Sequence, residues 1–291
     1  MREALEKSKG VILEVLTPRG SNLRKFLEFT EKMWETGIDA FSVTDMPLGK
    51  VRMAPWAGAH FLLERNMDVL MHFTRTTRNM IRIQSDLLGS YALGVKNLLI
   101  LSGDDPKHGD YPNTTRVDDI SITDLIKLAK SLNDGKDLGG RTIKPSTDFY
   151  VGAVFNHRDN TDLVKAKEKI RAGADFLISQ PVFDVKEVEN VIYELNEVKL
   201  VLSVVFFKSE KQFKIFSQVP GVNIPRKYLE DLENKSDEYI RDYTLSKVLE
   251  IVDTLKSKVD GFYVVGIVRD SKVLEEYQRN FGTFLKKLGE R

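Results

Sequence analysis

Residues 171–179 read RAGADFLIS, and residues 35–43 read ETGIDAFSV. Each has a glycine, one intervening residue, an aspartate and then an apolar run, directly after a charged stretch of helical character. Residues 91–100, YALGVKNLLI, come close to the same pattern. A helix that ends on glycine and leads through a short polar join into a buried strand is the seam of a βα unit, and its recurrence predicts a repeated βα architecture.

Outward from these joins, eight apolar runs read as strands: Val11–Leu16, Phe41–Thr44, Val69–Thr74, Leu98–Ser102, Phe149–Phe155, Phe176–Ser179, Leu200–Phe207 and Phe262–Val268. They are rich in Val, Ile, Leu and Phe and alternate little, as parallel strands covered on both faces should. The segments between them have helical periodicity. In Asn22–Glu35 the residues Leu23, Phe26, Leu27, Thr30 and Trp34 form one stripe; Asn79–Leu93 and Thr161–Ala172 are of the same kind. No linker or composition break divides the 291 residues, so one (β/α)8 TIM barrel over residues 1–291 is expected. A doubly wound sheet competes less well, because the first strand leads into LTPRGSN, without the glycine-rich dinucleotide turn. The long segments Gly103–Ser121 and Asn133–Asp148 are expected on the active face, where barrel βα loops gather.

Lys and Arg number 44 against 43 Asp and Glu, which removes the basic field that a nucleic-acid partner would need. The absence of cysteine excludes disulfides, thiolate metal sites and a cysteine nucleophile, and suits a reducing, cytoplasmic setting. The amino terminus, MREALEKSKG, lacks the apolar core of a secretion signal, and no apolar run is long enough to span a bilayer. The expectation is a cytoplasmic protein without membrane contact.

Polar residues in or at the ends of the strands carry the chemical information. Glu14 interrupts the apolar run VILEVL. A carboxylate there is paired, with Arg19 as the nearest cation, or is protonated and functional, since burial raises its pKa toward that of a general acid. Asp104, after the fourth strand in LLILSGDDPKHGDYP (residues 98–112), reads as a turn cap or as a charge offered to a ligand. His72 lies in the third strand, either hydrogen-bonded in the core or catalytic; His60, His108 and His157 read as surface or loop residues. No histidine pair of zinc spacing occurs, and no ligand cluster accompanies Asp104 and Asp105, so no metal is expected. Gln180 ends the sixth strand and offers a donor and an acceptor. Gln212 and Phe216 share a face of a predicted helix after the seventh strand. Arg269 closes the eighth, placed to hold an anion or to form a barrel salt bridge.

At these residues the sequence resembles a known family. LEVLTPRG (residues 13–20), SVTD (42–45), the stretch from Met71 to Pro112 containing HFTRTTRN and SGDDPKHGDYP, and AGADFLISQPVFD (172–184) resemble the strand motifs of methylenetetrahydrofolate reductases. Glu14, Gly103-Asp104 and Gln180 occur in the family's order. The resemblance implies a TIM barrel that binds FAD and reduces 5,10-methylenetetrahydrofolate to the 5-methyl form, in one-carbon metabolism and methionine biosynthesis. It implies that Glu14 is the general acid: protonating N10 opens the ring that bridges N5 and N10 and leaves an iminium ion that accepts hydride. Asp104 then matches a catalytic carboxylate beside that cation. Thr44, His72, Ser102, Gly103, Asp104, Asn156 and Lys169 match cofactor-binding positions. Gln180, Gln212, Phe216 and Arg269 match positions that handle the substrate.

Departures are Thr17 for the first proline of the opening motif, Ser102 for an arginine found in some members, and Lys165 and Glu168 at positions that contact FAD in others. The implied partners are methylenetetrahydrofolate or a related pterin, and NAD(P)H or a protein electron donor, in a homo-oligomer or a hetero-complex. Two rivals remain: a flavin-free reductase that takes hydride directly from NADH, and a noncatalytic barrel subunit of a folate or corrinoid methyl-transfer complex. Retention of Glu14, Asp104 and Gln180 favours catalysis.

Overall fold

The computed structural model describes residues 1–7, 10–218, 222–265 and 274–289. Eight parallel strands, β1 (Gly10–Val15), β2 (Ala40–Val43), β3 (Val69–Thr74), β4 (Asn97–Leu101), β5 (Tyr150–Phe155), β6 (Phe176–Pro181), β7 (Lys199–Val205) and β8 (Gly261–Val265), close into a barrel in chain order. Closure pairs β1 with β8, with Ile12 opposite Tyr263 and Leu13 opposite Val264. The expected TIM barrel is therefore the observed fold. The expected end of the eighth strand, including Arg269, lies outside the described residues.

The three helices read from the sequence form within a residue or two of their expected bounds, as Arg24–Trp34, Met80–Ala92 and Asn160–Arg171. Asn79 caps the second by accepting from the Arg82 N–H, and Asp159 caps the third by accepting from the Thr161 N–H. Each strand faces two ways. One set of side chains, including Val11, Leu13, Phe41, Met71 and Phe262, packs outward against the helices. The other fills the barrel with Ile12, Ala40, Leu70, Leu99, Tyr150, Phe176, Ile178, Val201 and Tyr263. The short helix Arg2–Glu6 closes the lower end: its Leu5 joins that interior, and the terminal amine binds Asp68 at 2.7 Å.

One loop expectation is corrected. Gly103–Ser121 does lie at the upper, C-terminal strand ends. Asn133–Asp148, however, joins the helix Ile122–Asn133 to the start of β5, so it belongs to the opposite face. Its order comes from an isolated bridge between Lys136 and Thr142, and from Asn133, whose side chain accepts from the Thr147 hydroxyl and the Phe149 N–H. Length alone did not reveal which side of the barrel the segment occupies.

Candidate active site

The inward positions of β1, β2, β3 and β8 change from apolar to polar toward the upper end. Alternation from Ile12 brings Glu14 inside, and from Ala40 it brings Ser42; Leu70 leads to His72. Tyr263 reaches up from β8 to meet all three. Its hydroxyl donates to Glu14 Oε2 at 2.7 Å and lies 3.2 Å from both Ser42 Oγ and His72 Nε2; Ser42 Oγ lies 2.8 Å from His72 Nε2.

Glu14, His72 and Tyr263 line the floor of a cavity of about 690 Å³, a size common for cofactor and small-ligand sites, and Ser42 is fully buried beside them. Its walls are largely apolar, with Leu16, Leu48, Leu101, Val154, Ile178 and Phe216 among them. Lys50, Lys208 and Lys211 stand among its polar lining residues. Burial pushes the Glu14 carboxyl up to about 7, although the Tyr263 hydrogen bond pulls the other way. Burial also holds His72 down to about 4 against the attraction of Asp45, so its ring is neutral. The salt bridge considered between Glu14 and Arg19 does not form: Arg19 lies 3.6 Å from Asp110, and the partner of Glu14 is a tyrosine hydroxyl.

Asp104 caps a turn and also lines the cavity. Its Oδ2 accepts from the Leu48 N–H, capping the turn Pro47–Gly49, where Met46 and Leu48 take positive φ. The same residue lines the large cavity and a neighbouring one of about 380 Å³. Gly103 borders the smaller cavity with φ +86; a Cβ there would meet Thr76 Oγ1 at 2.5 Å and Thr74 Cβ at 2.9 Å, so both the turn and the packing require glycine.

Gln180, Gln212 and Phe216 all line the large cavity beside Glu14, His72 and Asp104. Gln212 Oε1 accepts from the Lys208 N–H, and Phe216 meets Phe207 edge to face. Other expected positions stand apart from both cavities. The Thr44 hydroxyl donates to the Val15 carbonyl, and the Ser102 carbonyl accepts from the Arg75 and Thr76 N–H groups. Asn156 Oδ1 accepts from the Arg158 N–H, and the Lys169 amine donates to the Val154 carbonyl at 2.7 Å. His157 is a loop residue as expected but is buried, beside the Arg158–Glu187 ion pair. Among the described residues no cluster of three or more potential metal ligands occurs.

Tyr263 and Ser42 escaped the sequence reading as chemical residues. The available signal was the strand period: each stands at an inward position of an otherwise apolar strand.

A closed (β/α)8 barrel with a protonatable carboxyl at the base of a cavity at its upper strand ends defines the class, a barrel protein built on the plan of barrel enzymes. The profile of methylenetetrahydrofolate reductase matches residues 1–280, and the chain belongs to that family. A probable methylenetetrahydrofolate reductase (NADPH) of Caenorhabditis elegans is 23% identical over 267 residues, which cover 84% of this chain and 38% of that protein. Methylenetetrahydrofolate reductase 2 of Saccharomyces cerevisiae is 26% identical over 215 residues, covering 68% and 33%. The chain thus spans about a third of the length of these curated relatives. Among solved structures, a Clostridium thermocellum protein described as binding two copies of 5-methyl-5,6,7,8-tetrahydrofolic acid superimposes with a TM-score of 0.69. It is 15% identical, with 98% of each chain covered, a likeness that speaks to the fold. Among the described residues no helix is long and apolar enough to cross a membrane.

Proposed function

We propose that this protein reduces 5,10-methylenetetrahydrofolate, or a closely related methylene-tetrahydropterin, to the 5-methyl form, with Glu14 as general acid. The observation that carries this reading is the protonatable Glu14 carboxyl, hydrogen-bonded to Tyr263 on the cavity floor and held near neutral pKa by burial. An acid of that pKa is protonated in a large fraction of molecules at pH 7 and still transfers its proton readily. Glu14 delivers the proton to N10 of the substrate, which opens the bridging ring. The apolar walls exclude water from the resulting iminium ion, and Asp104, the other carboxylate lining the cavity, offers it a negative charge beside that of the ionised Glu14. Gln180 and Gln212 supply the amide donors and acceptors that orient a pterin ring, and Phe216 supplies an aromatic surface.

The residues also fit FAD. The large apolar cavity accommodates a planar ring system, and the buried Thr76 Oγ1, beside Gly103 and without a hydrogen-bond partner among the described residues, offers a polar atom at the edge of the adjoining cavity. His72, Gly103 and Asp104 would hold the flavin, while Thr44, Ser102, Asn156 and Lys169, outside both cavities, would act only through the neighbouring backbone they bond. A flavin held there would supply the hydride for the substrate carbon, its electrons coming from NAD(P)H or a protein donor. One cavity serving both partners in turn gives ping-pong kinetics.

The test has two parts. Purified protein should absorb near about 450 nm when flavin is bound. In stopped-flow measurements, Glu14→Gln should leave flavin reduction by the electron donor intact and slow the folate half-reaction by about 10²-fold or more. Equal losses in both half-reactions would make Glu14 structural.

A further inference from the structure

Glu14, Tyr263, Ser42 and His72 come from β1, β8, β2 and β3, and they are linked end to end: 2.7 Å from Glu14 to Tyr263, 3.2 Å from Tyr263 to Ser42, and 2.8 Å from Ser42 to His72. Among the described residues no guanidinium or ammonium hydrogen-bonds to this chain. The other ionisable residues lining the cavity are Arg19, Lys50, Arg52, Asp104, Lys208 and Lys211, and Asp45 acts on His72 from the far side. The immediate surroundings of the Glu14 carboxyl are therefore hydroxyls, each able to donate in one direction or the other.

We propose that Tyr263 is a positioning residue whose hydroxyl, backed by Ser42 and His72, turns between two hydrogen-bonding arrangements and so keeps Glu14 partnered in both of its protonation states. When Glu14 is ionised, Tyr263 donates to Oε2, and Ser42 donates to His72 Nε2. When Glu14 is protonated, it donates to the Tyr263 oxygen; Tyr263 then donates to Ser42, and Ser42 still donates to His72. The two arrangements differ by the one proton that Glu14 gives up or regains; within the rest of the chain only the tyrosine O–H reorients. The chain needs an acceptor at its far end, which is a neutral imidazole with its proton on Nδ1. A charged His72 would present N–H at both ring nitrogens and block it, and burial holds the ring neutral at ordinary pH.

An acid that must lose a proton in every turnover and regain it on a dry floor would otherwise strand an unpaired buried group at one of the two stages. The inference rests on the reading of Glu14 as the acid, but its test needs neither substrate nor flavin. Glutamate labelled with 13C at the carboxyl is introduced into the full chain, the Glu14 signal is assigned by its loss in Glu14→Gln, and its titration is followed by NMR.

Tyr263→Phe removes the donor to the ionised form, so the midpoint should rise by about one to two pH units. Ser42→Ala removes the acceptor that Tyr263 uses when Glu14 is protonated, so the midpoint should fall, by less, because His72 Nε2 at 3.2 Å still accepts from Tyr263. Shifts of opposite sign are the signature of a two-way chain, and a hydroxyl that merely packs would not produce them. Shifts of the same sign, or none, overturn the proposal. If Tyr263→Phe does not fold, the Ser42→Ala midpoint decides alone: a fall supports the chain and an unchanged value overturns it. A normal titration pattern with an unimpaired folate half-reaction in Glu14→Gln would leave the chain standing and remove the catalytic reading.

Discussion

Two carboxylates from neighbouring strands, Asp45 buried and Glu14 partly buried at the cavity, end in opposite circumstances. Asp45, at the top of β2, is enclosed by cations and donors. Arg78 NH1 and NH2 reach its two oxygens at 2.6 and 3.3 Å, and the Thr74 N–H and hydroxyl add bonds at 3.0 and 2.7 Å. The Arg78 Nε continues to Asp86 at 3.0 Å, and Arg82 closes that side at 2.8 Å. Burial pulls the Arg78 guanidinium down, yet Asp45 and Asp86 together raise it, so it stays charged. Glu14, on β1, has one close partner among the described residues, a neutral hydroxyl, and its carboxyl rises to about 7. The network around Asp45 pairs it with a charged guanidinium and fixes its position, whereas the one around Glu14 leaves the proton exchangeable. A buried acid is thus structural or chemical according to whether its partner carries a charge.

The sharpest way to break this contrast is Arg78→Ala. It leaves Asp45 and Asp86 buried without their shared cation and should cost about 3–5 kcal/mol. A denaturant titration that shows a loss below about 1 kcal/mol would mean that the network is not structural.

Glu14→Gln should act in the opposite direction on stability. The carboxyl titrates near 7 in the folded chain against an ordinary value of 4.5. Between those values the folded state holds a proton that the unfolded chain has released, so wild-type stability falls as the pH rises through that window. The glutamine variant has no such loss. Equal to wild type below pH 4.5, apart from a constant offset, it should gain about 1–3 kcal/mol on wild type by pH 8. Parallel pH–stability curves for the two proteins would show that Glu14 is not raised. A gain in stability with a loss of chemistry is the trade expected where a group is held strained for function.

The smallest effect concerns Asp104, which lies between the two cases because it caps a turn and also lines the cavity. Asp104→Ala should cost about 1–2 kcal/mol, since the Leu48 N–H loses its acceptor, whereas Asp104→Asn keeps an acceptor oxygen and should stay within about 0.5 kcal/mol of wild type. If the asparagine variant nonetheless reduces the methylene substrate more slowly, the charge of Asp104 serves the site rather than the turn. Thermal melts beside a single-turnover assay separate the two contributions.

Much of this was legible before any coordinates. Glu14 stood out because a carboxylate in the middle of VILEVL demands a reason, and it does face the cavity. Gln180, Gln212 and Phe216 were marked by their places after strands, and the structure brings all three to one cavity. Asn133–Asp148 was assigned to the wrong face because length does not distinguish a βα loop from an αβ loop. His157 passed for an ordinary loop residue, although its side chain is packed beside Arg158 and Glu187, where burial opposes and His157 and Arg158 together bring the Glu187 carboxyl down to about 2.

What the sequence by itself determined is what local pattern encodes. The apolar runs, the glycine–aspartate joins and the helical stripes set eight parallel strands in a repeated βα order, because periodicity and capping act over a few residues. Only the tertiary structure decided who meets whom. Glu14 and Tyr263 are 249 residues apart, and nothing near either predicts the other. They touch because β8 closes onto β1 and the strand period turns both inward, Tyr263 standing opposite Ile12 and reaching up to Glu14 two residues further along β1. The pKa of the acid follows from that meeting, since it is set by desolvation and by the partner across the barrel, two quantities that exist only once the barrel is closed.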